Sequence, residues 1–147
     1  KKKTIVIPQN ISWEKKSILT NYTKGAGITV QEVAYDKKTG KIDLENLKKT
    51  IDIETAGFYL ENPNFFGIFE DNVEEIHSIL KHNQSLFVVG IDPISLGICK
   101  SPGEYGADIV VGEGKSLGNS LDFGGSTLGI FACKKYALWR TYVVIGQ

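Results

Sequence analysis

Methionine is absent from this 147-residue chain, and cysteine and histidine appear only twice each. Without methionine there is no initiator residue. Strand-like residues follow Lys1 almost at once, and an apolar run, 142–145, stands near the other end. The expectation is therefore an internal piece of a longer chain. Charge of a single sign is also lacking, because 17 basic and 17 acidic side chains cancel. That balance removes the electrostatic case for nucleic acid or an anionic membrane. The one basic run, Lys1-Lys2-Lys3, sits at a terminus. No apolar stretch approaches the length of a bilayer-spanning helix, and no signal-peptide pattern opens the chain. Cys99 and Cys133 are far apart with no second cysteine near either, which excludes a zinc pattern or a redox pair. Both are expected to be buried small hydrophobes in a reducing, cytoplasmic setting. His77 and His82 are five apart on a predicted helix and point in different directions, so solvated positions and no metal site are expected.

What is present is an alternation of strand and helix signals. Residues 4–7, 28–33, 56–60, 86–91, 108–111 and 130–133 read as strands. Ser12 offers an N-cap, and Trp13, Ile18, Leu19 and Tyr22 form a partial apolar stripe that Gly25 and Gly27 bring to a stop. Residues 36–40 form a polar turn, and Asp43 caps a short helix bearing Leu44, Leu47 and Ile51. Asp71 and Glu74 have capping-box spacing ahead of Val73, Ile76 and Leu80, and Lys81 and His82 close that helix. Residues 86–91 are almost wholly apolar, as befits a strand covered on both faces. This alternation predicts one compact α/β unit, a mostly parallel sheet between two helical layers joined by right-handed crossovers.

Open sheets of this kind bind ligands beyond the carboxyl ends of their strands. Three loops would meet there: 61–67, the segment starting at Asp92-Pro93, and the glycine-rich 112–118. The first carries Phe65 and Phe66, whose adjacent rings need something to pack on: another domain, a cofactor or a second subunit. Asp92 could pair a cationic ring nitrogen, and Lys115 could form an imine with an aldehyde cofactor. Plainer roles compete with these. Asp-Pro after a strand is often a turn or helix cap, and a lysine in a glycine-rich loop is usually solvated. Trp13, Tyr136 and Trp139 are expected as core or docking aromatics. Two apparent motifs fail on spacing. A phosphate-binding loop ending in Gly114-Lys115-Ser116 needs glycine at 109, which is isoleucine, and a dinucleotide fingerprint from Gly112 needs glycine at 117, which is leucine.

Longer strings carry a resemblance. Pro63-Asn64-Phe65-Phe66-Gly67, Asp92-Pro93-Ile94-Ser95-Leu96-Gly97 and Pro102-Gly103-Glu104-Tyr105-Gly106-Ala107-Asp108 occur in order, the last continuing through Gly114. Ser116-Leu117-Gly118 and Phe123-Gly124-Gly125 follow. Nearly the whole chain resembles subunit 1 of the two-subunit glycine dehydrogenase (decarboxylating), the P-protein of the glycine cleavage system. The resemblance implies fold type I of the pyridoxal-phosphate enzymes, the aspartate aminotransferase-like three-layer αβα architecture. Residues 1–147 would be an incomplete, internal part of its large domain, supplying the second to seventh strands, with 130–133 antiparallel. The first strand and the phosphate-cupping helix would precede Lys1, and the small domain would follow Gln147.

The implied activity is that of an oxidoreductase complex. Glycine is decarboxylated through pyridoxal phosphate, with the imine-forming lysine in subunit 2, and the aminomethyl group passes to the lipoyl carrier protein. By the same resemblance Asp92 falls where the ring nitrogen is paired, Asn62-Pro63 where the ring hydroxyl is contacted, and Lys115 near the imine lysine's slot. The family pattern has glutamine near Lys115 and proline at Ser126. Lys115 is then an incidental polar replacement, the favoured alternative, or a remnant of cofactor chemistry. Two other functions stay open: a non-catalytic docking subunit, or a self-sufficient aminotransferase-like enzyme using Lys115.

Overall fold

A computed structural model describes residues 1–134. Tyr136, Trp139 and the apolar run 142–145 lie outside the described residues. Strand β1 (Thr4–Pro8) leads through helix α1 (Trp13–Ala26) to β2 (Thr29–Val33). Helix α2 (Leu44–Thr50), β3 (Thr55–Asn62), α3 (Val73–His82) and β4 (Leu86–Ile91) follow. After a 3₁₀ turn at Pro93–Gly97 come β5 (Ile109–Glu113), two further 3₁₀ turns, and β6 (Gly129–Cys133). The six strands form one sheet in the order β2-β1-β3-β4-β5-β6. The first five run parallel, and β6 pairs antiparallel with β5, Val111 facing Phe131.

The helices begin where side chains can take up orphan backbone N–H groups. Ser12 accepts from the Lys15 amide and Asp43 from the Asn46 amide. Helix α1 runs through Gly25 and stops at Gly27, whose φ of 62° is the left-handed C-cap conformation. The Asp71–Glu74 capping box does not form. The N-cap is Asn72, without a side-chain bond. Lys41 engages Asp71 at 2.6 Å and Lys100 engages Glu74 at 2.8 Å, so both carboxylates are drawn away from the helix end.

Alternation along the strands sorts the core. Val6, Phe58, Leu60, Phe87 and Val89 face α2 and α3 and meet Leu47, Val73, Ile76 and Leu80. Burying each of the larger aliphatic side chains contributes about 1.5–3 kcal/mol. Ile5, Tyr59 and Val88 face the other way, beneath α1. There the helix leaves an apolar groove of about 530 Å³, and Trp13, Ile18 and Tyr22 remain more than half exposed. The predicted stripe on α1 is thus a stripe with little to cover it among the described residues. The cysteines also depart from expectation: Cys99 is half-buried and Cys133 exposed, because their segments lie at the margin of the core. His77 is half-buried against Gly106, whereas His82 is solvated as expected.

Candidate functional site

Adjacent parallel strands bring their carboxyl ends to one edge. Here β3, β4 and β5 are neighbours, so loops 62–67, 92–97 and 112–118 form one rim. Strand β3 extends to Asn62, two residues past the predicted end. That extension decides which side chains face where. Tyr59 and Glu61 share one side, and Leu60 and Asn62 the other.

Asn62 turns away from the rim recess. Its buried amide receives the Glu70 N–H at 3.1 Å and donates to the Glu70 carbonyl at 3.3 Å, closing the 62–70 loop. A cis bond joins it to Pro63. Asn64 fastens the same loop from inside, accepting from Phe66 and Ile68 and donating to the Gly40 carbonyl. Phe66 stacks edgewise on Tyr35 at 5.3 Å, yet Phe65 and Phe66 stay 61% and 48% exposed.

Glu61 points into the recess instead. Its carboxyl group is nearly buried, and one oxygen, Oε1, accepts from Lys15 Nζ at 2.5 Å and Tyr59 Oη at 2.9 Å. Burial, then the Glu61 charge, pushes the Tyr59 phenol far above its ordinary range, so it remains a donor. Its hydroxyl lies over Gly90, where an added Cβ would come within 2.3 Å of it. Only glycine leaves that space free. Lys15, Tyr59 and Glu61 together with Asp92 and Glu113 line a recess of about 420 Å³.

Asp92 sits at the end of β4 and caps the 3₁₀ turn, accepting from the Ile94 amide at 3.1 Å and more weakly from Ser116 Oγ at 3.4 Å. A neighbouring recess of about 510 Å³ shares Asp92 and Glu113 with the first and adds Lys115 and Ser116. Asp92 and Lys115 are therefore brought together, and Asn62 is not. The Lys115 ammonium donates to the Gly124 carbonyl. Glu113 Oε1 accepts from the Leu128 amide at 2.7 Å and the Lys115 amide at 2.9 Å, which holds its carboxyl below the usual range. Sequence reasoning passed over Lys15, Tyr59 and Glu61. The available signal was an acidic residue in phase with Tyr59 at the end of an otherwise apolar strand.

An open, mostly parallel sheet with a charged recess across three strand ends defines an α/β protein of the ligand-binding rim class. The chain belongs to the glycine cleavage system P-protein family, whose model matches residues 1–142. A Saccharolobus solfataricus protein named Probable glycine dehydrogenase (decarboxylating) subunit 1 is 46% identical over 134 residues, covering 90% of this chain and 30% of that protein. A crystal structure of glycine decarboxylase (P-protein) of the glycine cleavage system, in inhibitor-bound form, is 32% identical with a TM-score of 0.79, covering 91% of this chain and 29% of that one. The fold alone is shared with a Lactobacillus plantarum cystathionine gamma-lyase complexed with L-serine, at 20% identity, a TM-score of 0.73, and coverage of 93% and 34%. The chain thus spans about a third of the length of the relatives it matches.

The recess fits pyridoxal phosphate at its ring end. A carboxylate, Asp92, and a primary amine, Lys115, line one cavity, as a ring nitrogen and an aldehyde require. Its phosphate end finds no free cation in the two recesses, where Lys15 is held by Glu61 and Lys115 by Gly124.

Proposed function

We propose that this chain works as part of subunit 1 of a glycine dehydrogenase (decarboxylating), together with a second subunit, in the cytoplasm. The family match over almost the whole chain carries the reading. In it, residues 1–147 belong to a single large domain of the pyridoxal-phosphate type. Asp92 would hold the ring nitrogen of pyridoxal phosphate, and the Lys115 amine would lie toward the aldehyde side. When bound, the cofactor supplies an electron-accepting ring for the pair released as carbon dioxide leaves glycine. This chain's own residues shape the site. Asn62 and Asn64 hold the first rim loop in place through Glu70 and Gly40. Tyr59 and Lys15 fix the Glu61 carboxylate, and the closed core beneath keeps the strand ends in register. By the family resemblance the imine-forming lysine would come from the second subunit, with Lys115 an incidental polar replacement. The lipoyl carrier protein would accept the aminomethyl group.

A docking role without chemistry has one observation in its favour, the exposed pair Phe65 and Phe66. Both readings separate in one experiment. The full-length chain is combined with its second subunit, and exchange of the glycine carboxyl with labelled bicarbonate is followed. The enzyme reading expects exchange only when both are present, and at least a tenfold loss in Asp92→Asn. Docking alone expects Asp92→Asn to be silent and Phe66→Asp to abolish assembly. An absorbance band of bound cofactor in this chain alone, lost in Lys115→Ala, would instead favour a self-sufficient enzyme.

A further inference from the structure

Away from the cofactor recess, on the α3 side of the sheet, a separate cavity of about 320 Å³ opens beside loop 62–70. Phe69, Val73 and Ile98 give it apolar walls, and Tyr105 stands among them. The Tyr105 ring packs on Phe87, with centroids 6.1 Å apart, and the residue is only 5% exposed. Burial pushes its phenol up to about 12, against a smaller opposing pull from the Asn62 amide, so at neutral pH the hydroxyl keeps its proton. Among the described residues nothing accepts that proton. Asn62 does not, because its oxygen receives the Glu70 N–H and its nitrogen is itself a donor. Glu70 turns its oxygens to the Ile42 and Asn72 amides, at 2.8 and 3.1 Å. The Cys99 thiol donates to the Ser95 carbonyl. A donor buried this deeply is costly without an acceptor, and the one open direction is the cavity that Tyr105 lines.

We infer that this cavity is a binding site for a small uncharged carboxamide, whose carbonyl oxygen accepts from Tyr105 and whose apolar body lies between Phe69, Val73 and Ile98. Its volume is in the range that takes small ligands. Charge argues against an anion. Glu70, Asp71 and Glu74 line the cavity against a single lysine, Lys100, which Glu74 already engages at 2.8 Å. A cationic head would meet the proton of the phenol where it needs an acceptor. A carboxamide suits the site better than a plain ketone, because its N–H₂ group can donate to the acidic rim while its oxygen serves Tyr105. A metal ion has no cluster of three or more ligating side chains to hold it among the described residues. The site uses neither Asp92 nor Lys115, so it stands apart from the proposed activity. Asn62 and Glu70, which close loop 62–70, form one wall. An occupant therefore braces the loop that carries Phe65 and Phe66.

The test uses the full-length chain and two probes of one shape, cyclohexanecarboxamide and cyclohexanecarboxylate. Cys99 lines the cavity and is half-buried, so its thiol reports occupancy, and the exposed Cys133 serves as an internal control. Labelling of each by a methanethiosulfonate reagent is followed by mass spectrometry. The amide should slow Cys99 labelling saturably, at least fivefold, and leave Cys133 unchanged. The carboxylate should need at least tenfold higher concentration for the same protection. Tyr105→Phe keeps the ring on Phe87 and removes only the hydroxyl. It should raise the amide concentration required fivefold or more without lowering the thermal midpoint. Protection by neither probe would mean that the cavity holds water only, and would overturn the assignment. Equal protection by amide and carboxylate, or undiminished protection in Tyr105→Phe, would overturn it as well. If Tyr105→Phe does not fold, the parent's comparison of the two probes decides alone.

Discussion

The first and last loops of the rim are built on opposite plans. Loop 62–70 is closed from within: Asn62, Asn64 and Glu70 are all buried, and their polar atoms bind backbone groups of the same chain. Segment 114–128 has a single acidic fastener, Glu113, and turns Leu117, Leu121 and Leu128 outward. Beneath the first lies the core shared with α2 and α3, while the second adjoins β6, whose Phe131 is 55% exposed. The contrast teaches where this chain completes its own architecture. Glu61 and Asp92 are held by neighbours that are present, so their placement follows from the chain itself. Lys115 stands on the half whose apolar side chains have no cover among the described residues.

The largest break in that comparison should come from the closed half. Leu80→Ala or Phe58→Ala removes a fully buried side chain and should cost about 3–5 kcal/mol, read as a fall in urea midpoint. Leu121→Ala on the open half should stay within about 0.5 kcal/mol, and an equal loss at both sites would erase the distinction. Next in size is Gly90→Ala, which drives a methyl into the Tyr59 hydroxyl and should cost about 1–3 kcal/mol, with a changed Tyr59 ring environment by NMR. Asn64→Ala leaves the Phe66 and Ile68 amides without their acceptor and should cost about 1–2 kcal/mol. Faster hydrogen exchange confined to loop 62–70 would accompany it. The smallest effect is on acidification. Leu128 and Lys115 amides hold the Glu113 carboxyl below its usual range. A depressed folded pKa contributes stability above the ordinary carboxylate range and loses it as pH falls through the folded value. The Leu128 and Lys115 amide resonances should shift together only under acid, below the ordinary carboxylate range, and stay fixed near neutrality. Movement at neutral pH would contradict the fastening role of Glu113.

Much of the fold was legible because it rests on local chemistry. Ser12 and Asp43 are caps by virtue of their own side chains, and Val73, Ile76 and Leu80 share a face by helical spacing. The apolar run 86–91 announces a strand in the middle of the sheet, and β4 is one, buried on the α3 side while Leu86 and Val88 line the open groove beneath α1. The capping box at Asp71 and Glu74 failed because distant Lys41 and Lys100 compete for the same carboxylates. No local pattern reports such partners. The site was half legible. Asp92 and Lys115 share a cavity, whereas Asn62 closes its loop and Glu61 lines the recess, because β3 runs two residues past the expected end. With side chains alternating across a strand, the phase relative to Tyr59 separates the residue that faces the recess from the one that closes a loop.

The sequence by itself determined the alternating elements, the helix caps and the closed apolar face, since backbone preference and side-chain period act within a few residues. Only the tertiary structure decided that Glu61 joins Asp92, that Lys15 crosses from α1 to hold it, and that Asn62 turns inward. Those outcomes depend on strand order and on competition between groups far apart in the chain, and short-range periodicity carries no record of either.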